Sequence, residues 1–135
     1  MEIKLKPKQA SNPVAQFIDC LLVARNVVHK KHWNVTGVGS YSQHKALNKL
    51  YDILPEFADN LAEKFQGYNG ELLPIISQMS DAELIKKSPL ELAEWILKYV
   101  IEYRKVFGDN SMLQNIIDEL VGELSSIKYK LQFLQ

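Results

Sequence analysis

A single cysteine, Cys20, among 135 residues excludes an internal disulfide framework, so the fold must rest on its core. Flanked by Phe17, Ile18, Leu21 and Leu22, this thiol reads as a small apolar core side chain. Charge of one sign is missing as well: Lys plus Arg and Asp plus Glu both number 16, for a formal net charge of zero. No overall field draws the chain to nucleic acid or to an anionic membrane surface. Nor does any stretch approach the roughly 18 unbroken apolar residues of a membrane span, and Met1 to Lys8 alternate charges instead of forming an apolar leader. The expectation is a soluble, cytoplasmic protein with no membrane contact. Strand-like alternation is absent too, which excludes a sheet-based fold.

What the sequence does contain is helical periodicity in one domain, residues 12–135, preceded by a short arm, 1–11. Asn12 can cap and Pro13 suits a first helical position, so the recurrence of Val14, Phe17, Ile18, Leu21 and Val28 predicts a helix to Asn34. Gly37 and Gly39 supply a turn. A second helix then runs from Ser40 to about Gln66, with Leu47, Leu50, Leu54, Phe57, Ala58, Leu61 and Phe65 on one side and Gly67 as its stop. In the long connection that follows, Ser80-Asp81-Ala82-Glu83 reads as a capping box opening a short helix to Lys87. Ser88-Pro89-Leu90-Glu91 repeats the signal for a third helix ending at Phe107, and a fourth runs from Ser111 almost to Gln135. Four long amphipathic helices with one long connection between the second and third predict an all-α, ferritin-like four-helix bundle.

The second helix also carries His44, Asn48, Asp52, Asp59 and Glu63, which share a stripe about 100° wide, turned away from its apolar side. Every amphipathic helix has a polar face, but Lys and Arg, the usual occupants, are missing from this stripe. In their place stands a histidine beside three carboxylates, the nitrogen and oxygen ligands that iron and other divalent metals accept. His44 and Asp59 lie about 22 Å apart along the axis, so they cannot share an ion within one chain. Asp59 and Glu63 are one turn apart and can. A second copy packed antiparallel about a two-fold axis near Tyr51 and Asp52 would bring His44 of one chain to Asp59 of the other, making two equivalent sites. His32, at the end of the first helix, lies across the glycine turn from His44. His29 reads as a satisfied core histidine, and core packing is the first reading for Trp33 and Tyr51, with placement beside the site as the second.

The run His32-Trp33-Asn34-Val35-Thr36-Gly37, then His44 twelve residues after His32, then Asp59-Asn60-Leu61-Ala62-Glu63, resembles the signature of the Dps miniferritins. That pattern is His-Trp-x-x-x-Gly, a histidine twelve residues on, and Asp-x-x-x-Glu. The resemblance implies a ferritin-like bundle assembled as a homo-oligomeric shell, a dodecamer built on two-fold dimers. Its ferroxidase centres would combine His32 and His44 of one subunit with Asp59 and Glu63 of another. There ferrous iron is oxidised, preferentially by hydrogen peroxide, and stored as ferric mineral, which limits oxidative damage. Two positions depart from the pattern. Asn48 stands where the family usually has an acid, with Asp52 as a possible replacement, and Pro55 would kink the second helix near Tyr51.

Intrasubunit di-iron sites need Glu-x-x-His pairs, and none occurs. DNA binding would rest on Lys4, Lys6 and Lys8 of the arm, three lysines in a neutral chain, and is not expected. The competing reading is a ferritin-like helical protein that serves assembly or partner binding, with a weak or vestigial metal site.

Overall fold

The computed structural model describes residues 12–134, so the 1–11 arm with Lys4, Lys6 and Lys8 lies outside the described residues. Among the described residues all regular structure is helical. Helix α1 spans Pro13–Asn34, α2 Ser40–Asn69, α3 Pro89–Tyr103 and α4 Ser111–Phe133. Local chemistry starts three of them. The Asn12 side chain accepts the Ala15 N–H, Asn110 accepts that of Leu113, and Ser88 and Glu91 form a reciprocal capping box. Each such cap is worth about 1 kcal/mol. Helix α2 has no side-chain cap and instead follows Gly39, whose φ of 81° is a conformation that a Cβ would strain.

Several boundaries differ from the sequence reading. Helix α2 passes through Gly67 and stops at Gly70, where φ is 70° and the N–H donates to the Gln66 carbonyl. The helix also continues through Pro55. The short helix expected from Ser80 is only a 3-10 turn, Leu84–Lys86, because Ser80 Oγ accepts from Ala82 rather than capping at Glu83. Helix α3 tightens into a 3-10 turn over Arg104–Phe107 before Gly108.

The long connection fixes the topology. Leu73 N–H donates to the Gln66 side chain, Met79 N–H to the Asp19 carboxylate and Lys31 Nζ to the Ile85 carbonyl. The first anchor is on the last turns of α2 and the next two advance along α1 from Asp19 to Lys31, so the connection retraces the length of the molecule. Helix α3 therefore runs parallel to α2, with α4 antiparallel to α3. At the far end of α3, Phe107 meets Phe17 edge-on at 5.0 Å and Phe65 at 6.1 Å, closing the end where α1 begins and α2 finishes. Helix α2 packs on α1 and α4, and α3 on α4 and α1. One continuous core fills the space between them, with Phe17, Leu21, Leu47, Leu50, Leu54, Leu61, Ile96, Ile117 and Leu120 fully buried. Each of these side chains contributes roughly 1.5–3 kcal/mol of transfer free energy.

The corner between α3 and α4 is latched. Arg104 Nε donates to Gln114 Oε1 at 2.8 Å and its guanidinium also reaches Asp118. The Gln114 amide donates back to the Arg104 and Gly108 carbonyls at 3.0 and 2.8 Å. No helix among the described residues is long and apolar enough to cross a membrane.

Candidate metal centre

The turn Val35–Gly39 folds α2 back on α1 and brings His44 over the last turns of α1. The His32 and His44 rings stack with centroids 4.0 Å apart and an interplanar angle of 25°. His44 Nδ1 lies 2.9 Å from the His32 carbonyl, one of the end-of-helix carbonyls that has no partner inside α1. Since the carbonyl can only accept, Nδ1 carries the proton and the lone pair sits on Nε2. The His32 ring makes a longer contact of the same kind, Nδ1 to the His29 carbonyl at 3.3 Å. Carbonyl-anchored rings with a free Nε2 are the usual state of metal-binding histidines. Only 8% of His32 is exposed, and burial, then the neighbouring His44, hold its pKa below the ordinary 6.5. It is therefore neutral, and available as a ligand, at pH 7.

Tyr51 organises the neighbourhood. Its ring stacks on His29 at 4.2 Å and meets His32 edge-on at 4.9 Å, and the Arg25 guanidinium lies 5.9 Å from its centroid. Its hydroxyl donates to Asn48 Oδ1 at 2.8 Å, while Asn48 Nδ2 donates to the Asp52 carboxylate at 3.2 Å. Asn48 thus spans Tyr51 and Asp52. An acid at that position would place two carboxylates one turn apart. Tyr51 meets both expectations, half-buried against the core and beside the histidines. Its role as a hub for three rings and Asn48 was not legible in the sequence beyond its position one residue before Asp52.

Trp33 corrects the sequence reading. It is 64% exposed rather than in the core, touching the His29 ring at 5.0 Å, because the inward position goes to His32 and the next residue turns about 100° away. His29 is half-buried between Trp33 and Tyr51, as a packed histidine should be.

Asp59 and Glu63 lie on the later half of α2, exposed, and make no hydrogen bond or ion pair among the described residues. They are not brought to the histidines. Among the described residues of one chain no group of three or more His, Cys, Asp or Glu is placed to hold a metal. The histidine pair and the carboxylate pair are two separate halves, about 22 Å apart along α2.

Residues 32–131 match the model of a family described as one of unknown function, DUF5856. The chain belongs to this family. Both histidines, both carboxylates and α2 through α4 up to Leu131 fall inside the matched span. This DUF5856 chain is also similar to an uncharacterised 14.6 kDa protein of Enterobacteria phage T4, from the mobD–ri intergenic region. The two are 25% identical over 128 residues, covering 93% of this chain and 90% of the phage protein. No solved structure matches the chain.

Proposed function

We propose that this DUF5856 protein is a miniferritin of the Dps type, binding ferrous iron as substrate between two copies of the chain and sequestering it after oxidation by hydrogen peroxide. The observation that carries the reading is the histidine pair: two imidazoles, stacked at 4.0 Å, each with Nδ1 against a carbonyl and Nε2 left as a ligand atom. The carboxylates of Asp59 and Glu63, one turn apart and unpaired, supply oxygen ligands that favour the harder ferric product. In a two-fold dimer about the middle of α2, the partner subunit's Asp59 and the partner subunit's Glu63 would meet His32 and His44. The crossover between parallel α2 and α3 supports a ferritin-like bundle. Leu22, Trp33, Leu72 and Ile75 are 40, 64, 87 and 99% exposed, and a partner packed across α1 and α2 would shield apolar side chains on this side. The dodecameric shell is the assembly that the family resemblance implies.

The chemistry is one electron from each of two ferrous ions to one peroxide, which takes up two protons and leaves as water. Asp52, held by Asn48 beside the histidines, is the acid nearest to replacing the missing family carboxylate. The engagement of Asn48 with Tyr51 also favours one alternative, a helical assembly protein whose metal site has become vestigial.

The test is anaerobic addition of ferrous iron and hydrogen peroxide to metal-free protein, following ferric absorbance, with particle size by light scattering. Rapid oxidation in a particle larger than a dimer, lost in His32→Ala and in Glu63→Ala, is expected. Oxidation no faster than buffer would leave the assembly reading.

A further inference from the structure

An open groove of about 240 Å³ lies between the first half of α1 and the long connection. It is lined by Ala15, Ile18 and Leu22 of α1, Ala62 of α2, and Leu73 and Ile75 of the connection, among others. The charged side chain among the described residues that line it is an acid, Asp19. One Asp19 oxygen accepts the Met79 N–H, which leaves the other. The connection offers backbone as well. Leu73 and Met79 donate their N–H groups to side chains, but those of Ile75, Ile76, Ser77 and Gln78 between them have no partner among the described residues. An apolar groove beside a run of unpaired backbone suits an extended segment, held by main-chain bonds while alternate side chains fill the groove.

The arm 1–11, outside the described residues, carries the complement to this groove in its sequence. Met1, Ile3 and Leu5 alternate with Glu2, Lys4 and Lys6, the period of an extended segment with one apolar and one charged side. Pro7 disfavours a helix there. The arm joins the described chain at Asn12, three residues before Ala15 in the groove wall. From Ala15 to Leu22 the groove follows α1 for roughly 10 Å. Residues 1–5, extended, span about 16 Å, and residues 6–11 remain for the return into α1. We infer that the arm folds back on its own chain and docks in this groove, antiparallel to α1, with Leu5 near Ile18, Ile3 near Leu22 and Lys4 toward the free oxygen of Asp19. A basic arm meets an acidic wall, whereas an acidic segment would be repelled by it. Burial of a few apolar side chains is set against the ordering of the whole arm, so docking is reversible. A two-fold partner across α1 and α2 would approach the same side, but the arm needs neither partner nor iron.

A thiol placed in the groove tests this. Full-length Leu22→Cys is labelled with a maleimide, with and without Ile3→Asp and Leu5→Asp in the arm. The two arm substitutions should speed labelling on the order of tenfold by undocking the arm, and leave the rate of Ser126→Cys, an exposed site on α4, unchanged. Native Cys20 is buried, so its staying unlabelled shows that the variants remain folded. A second measurement locates the arm. Ile3→Cys combined with Leu22→Cys, oxidised mildly, should close a disulfide within one chain, seen as a monomer of altered mobility on a non-reducing gel and formed at a rate independent of protein concentration. Labelling of Leu22→Cys that is fast from the start, or slow and unmoved by the arm substitutions because a two-fold partner covers the site, would overturn the proposal. Disulfides formed only between chains would overturn it too.

Discussion

The two ends of α2 carry parts of the same stripe and are built in opposite ways. At the early end His32 and His44 are stacked, tied to carbonyls and packed against Tyr51, with one ring almost wholly buried. At the late end Asp59 and Glu63 stand exposed without partners among the described residues. The difference is one of preorganisation. The imidazoles are held in place by their own chain, whereas the carboxylates keep their freedom. A purely solvated face would not anchor one end so thoroughly, and a complete intrachain site would not leave the other end loose.

The sharpest way to break this comparison is complementation. His32→Ala and Glu63→Ala should each reduce peroxide-dependent ferrous oxidation to the buffer rate. Co-refolded in equal amounts they should recover about a quarter of the wild-type rate, because half the dimers are mixed and one site in each mixed dimer is intact. No recovery would mean that the two halves do not meet across a two-fold axis. Stability should separate the ends next. His32→Ala empties a buried position and is expected to cost about 1–3 kcal/mol in urea unfolding, while Glu63→Ala stays within about 0.5 kcal/mol. Equal losses would erase the contrast between anchored and free ends.

Acidity acts on this contrast through His32. The folded chain resists protonating His32, whereas the unfolded chain takes the proton near the ordinary 6.5. Stability from this group is therefore present above 6.5 and lost as pH falls below it toward the depressed folded value. His32→Gln should flatten the decline in unfolding midpoint between about pH 7 and pH 5. An unchanged pH profile would show that His32 protonates as freely in the folded chain as in the unfolded one. The smallest effect is expected at Cys20, where burial pushes the thiol up to about 12. Folded protein should not react with a thiol reagent at pH 8, and full reaction only on unfolding is the outcome that checks it.

Local chemistry was the legible part of the sequence. Asn12 with Pro13, Ser88 with Glu91, and Asn110 act on groups within three residues, so their caps can be read without knowing the fold. The end of α2 was misread because Gln66-Gly67-Tyr68-Asn69-Gly70 offers two glycines, and only the second takes the left-handed conformation that ends a helix. Ser80 failed as a capping box because its hydroxyl closes a tighter local turn. At the candidate site the spacing of His32 and His44 across the turn placed them together correctly. Their carbonyl anchors and the Asn48–Tyr51–Asp52 chain depend on how one helix is rotated against another, which periodicity does not encode. The approach of Tyr99 on α3 to Cys20 on α1 was invisible for the same reason.

The latched corner at Arg104 bears on how the chain reaches this structure. Arg104, Gln114 and Asp118 are near neighbours in sequence, so α3 and α4 close on each other over a short loop, with little entropy to lose. Helices α1 and α2 do likewise across Val35–Gly39. Native contacts that join the two hairpins, such as Phe17 with Phe107, span most of the chain, and the crossover contact of Met79 with Asp19 spans 60 residues. Loop closure therefore costs little within each hairpin and more between them, an order in which topology favours local pairing before the crossover is strapped along α1.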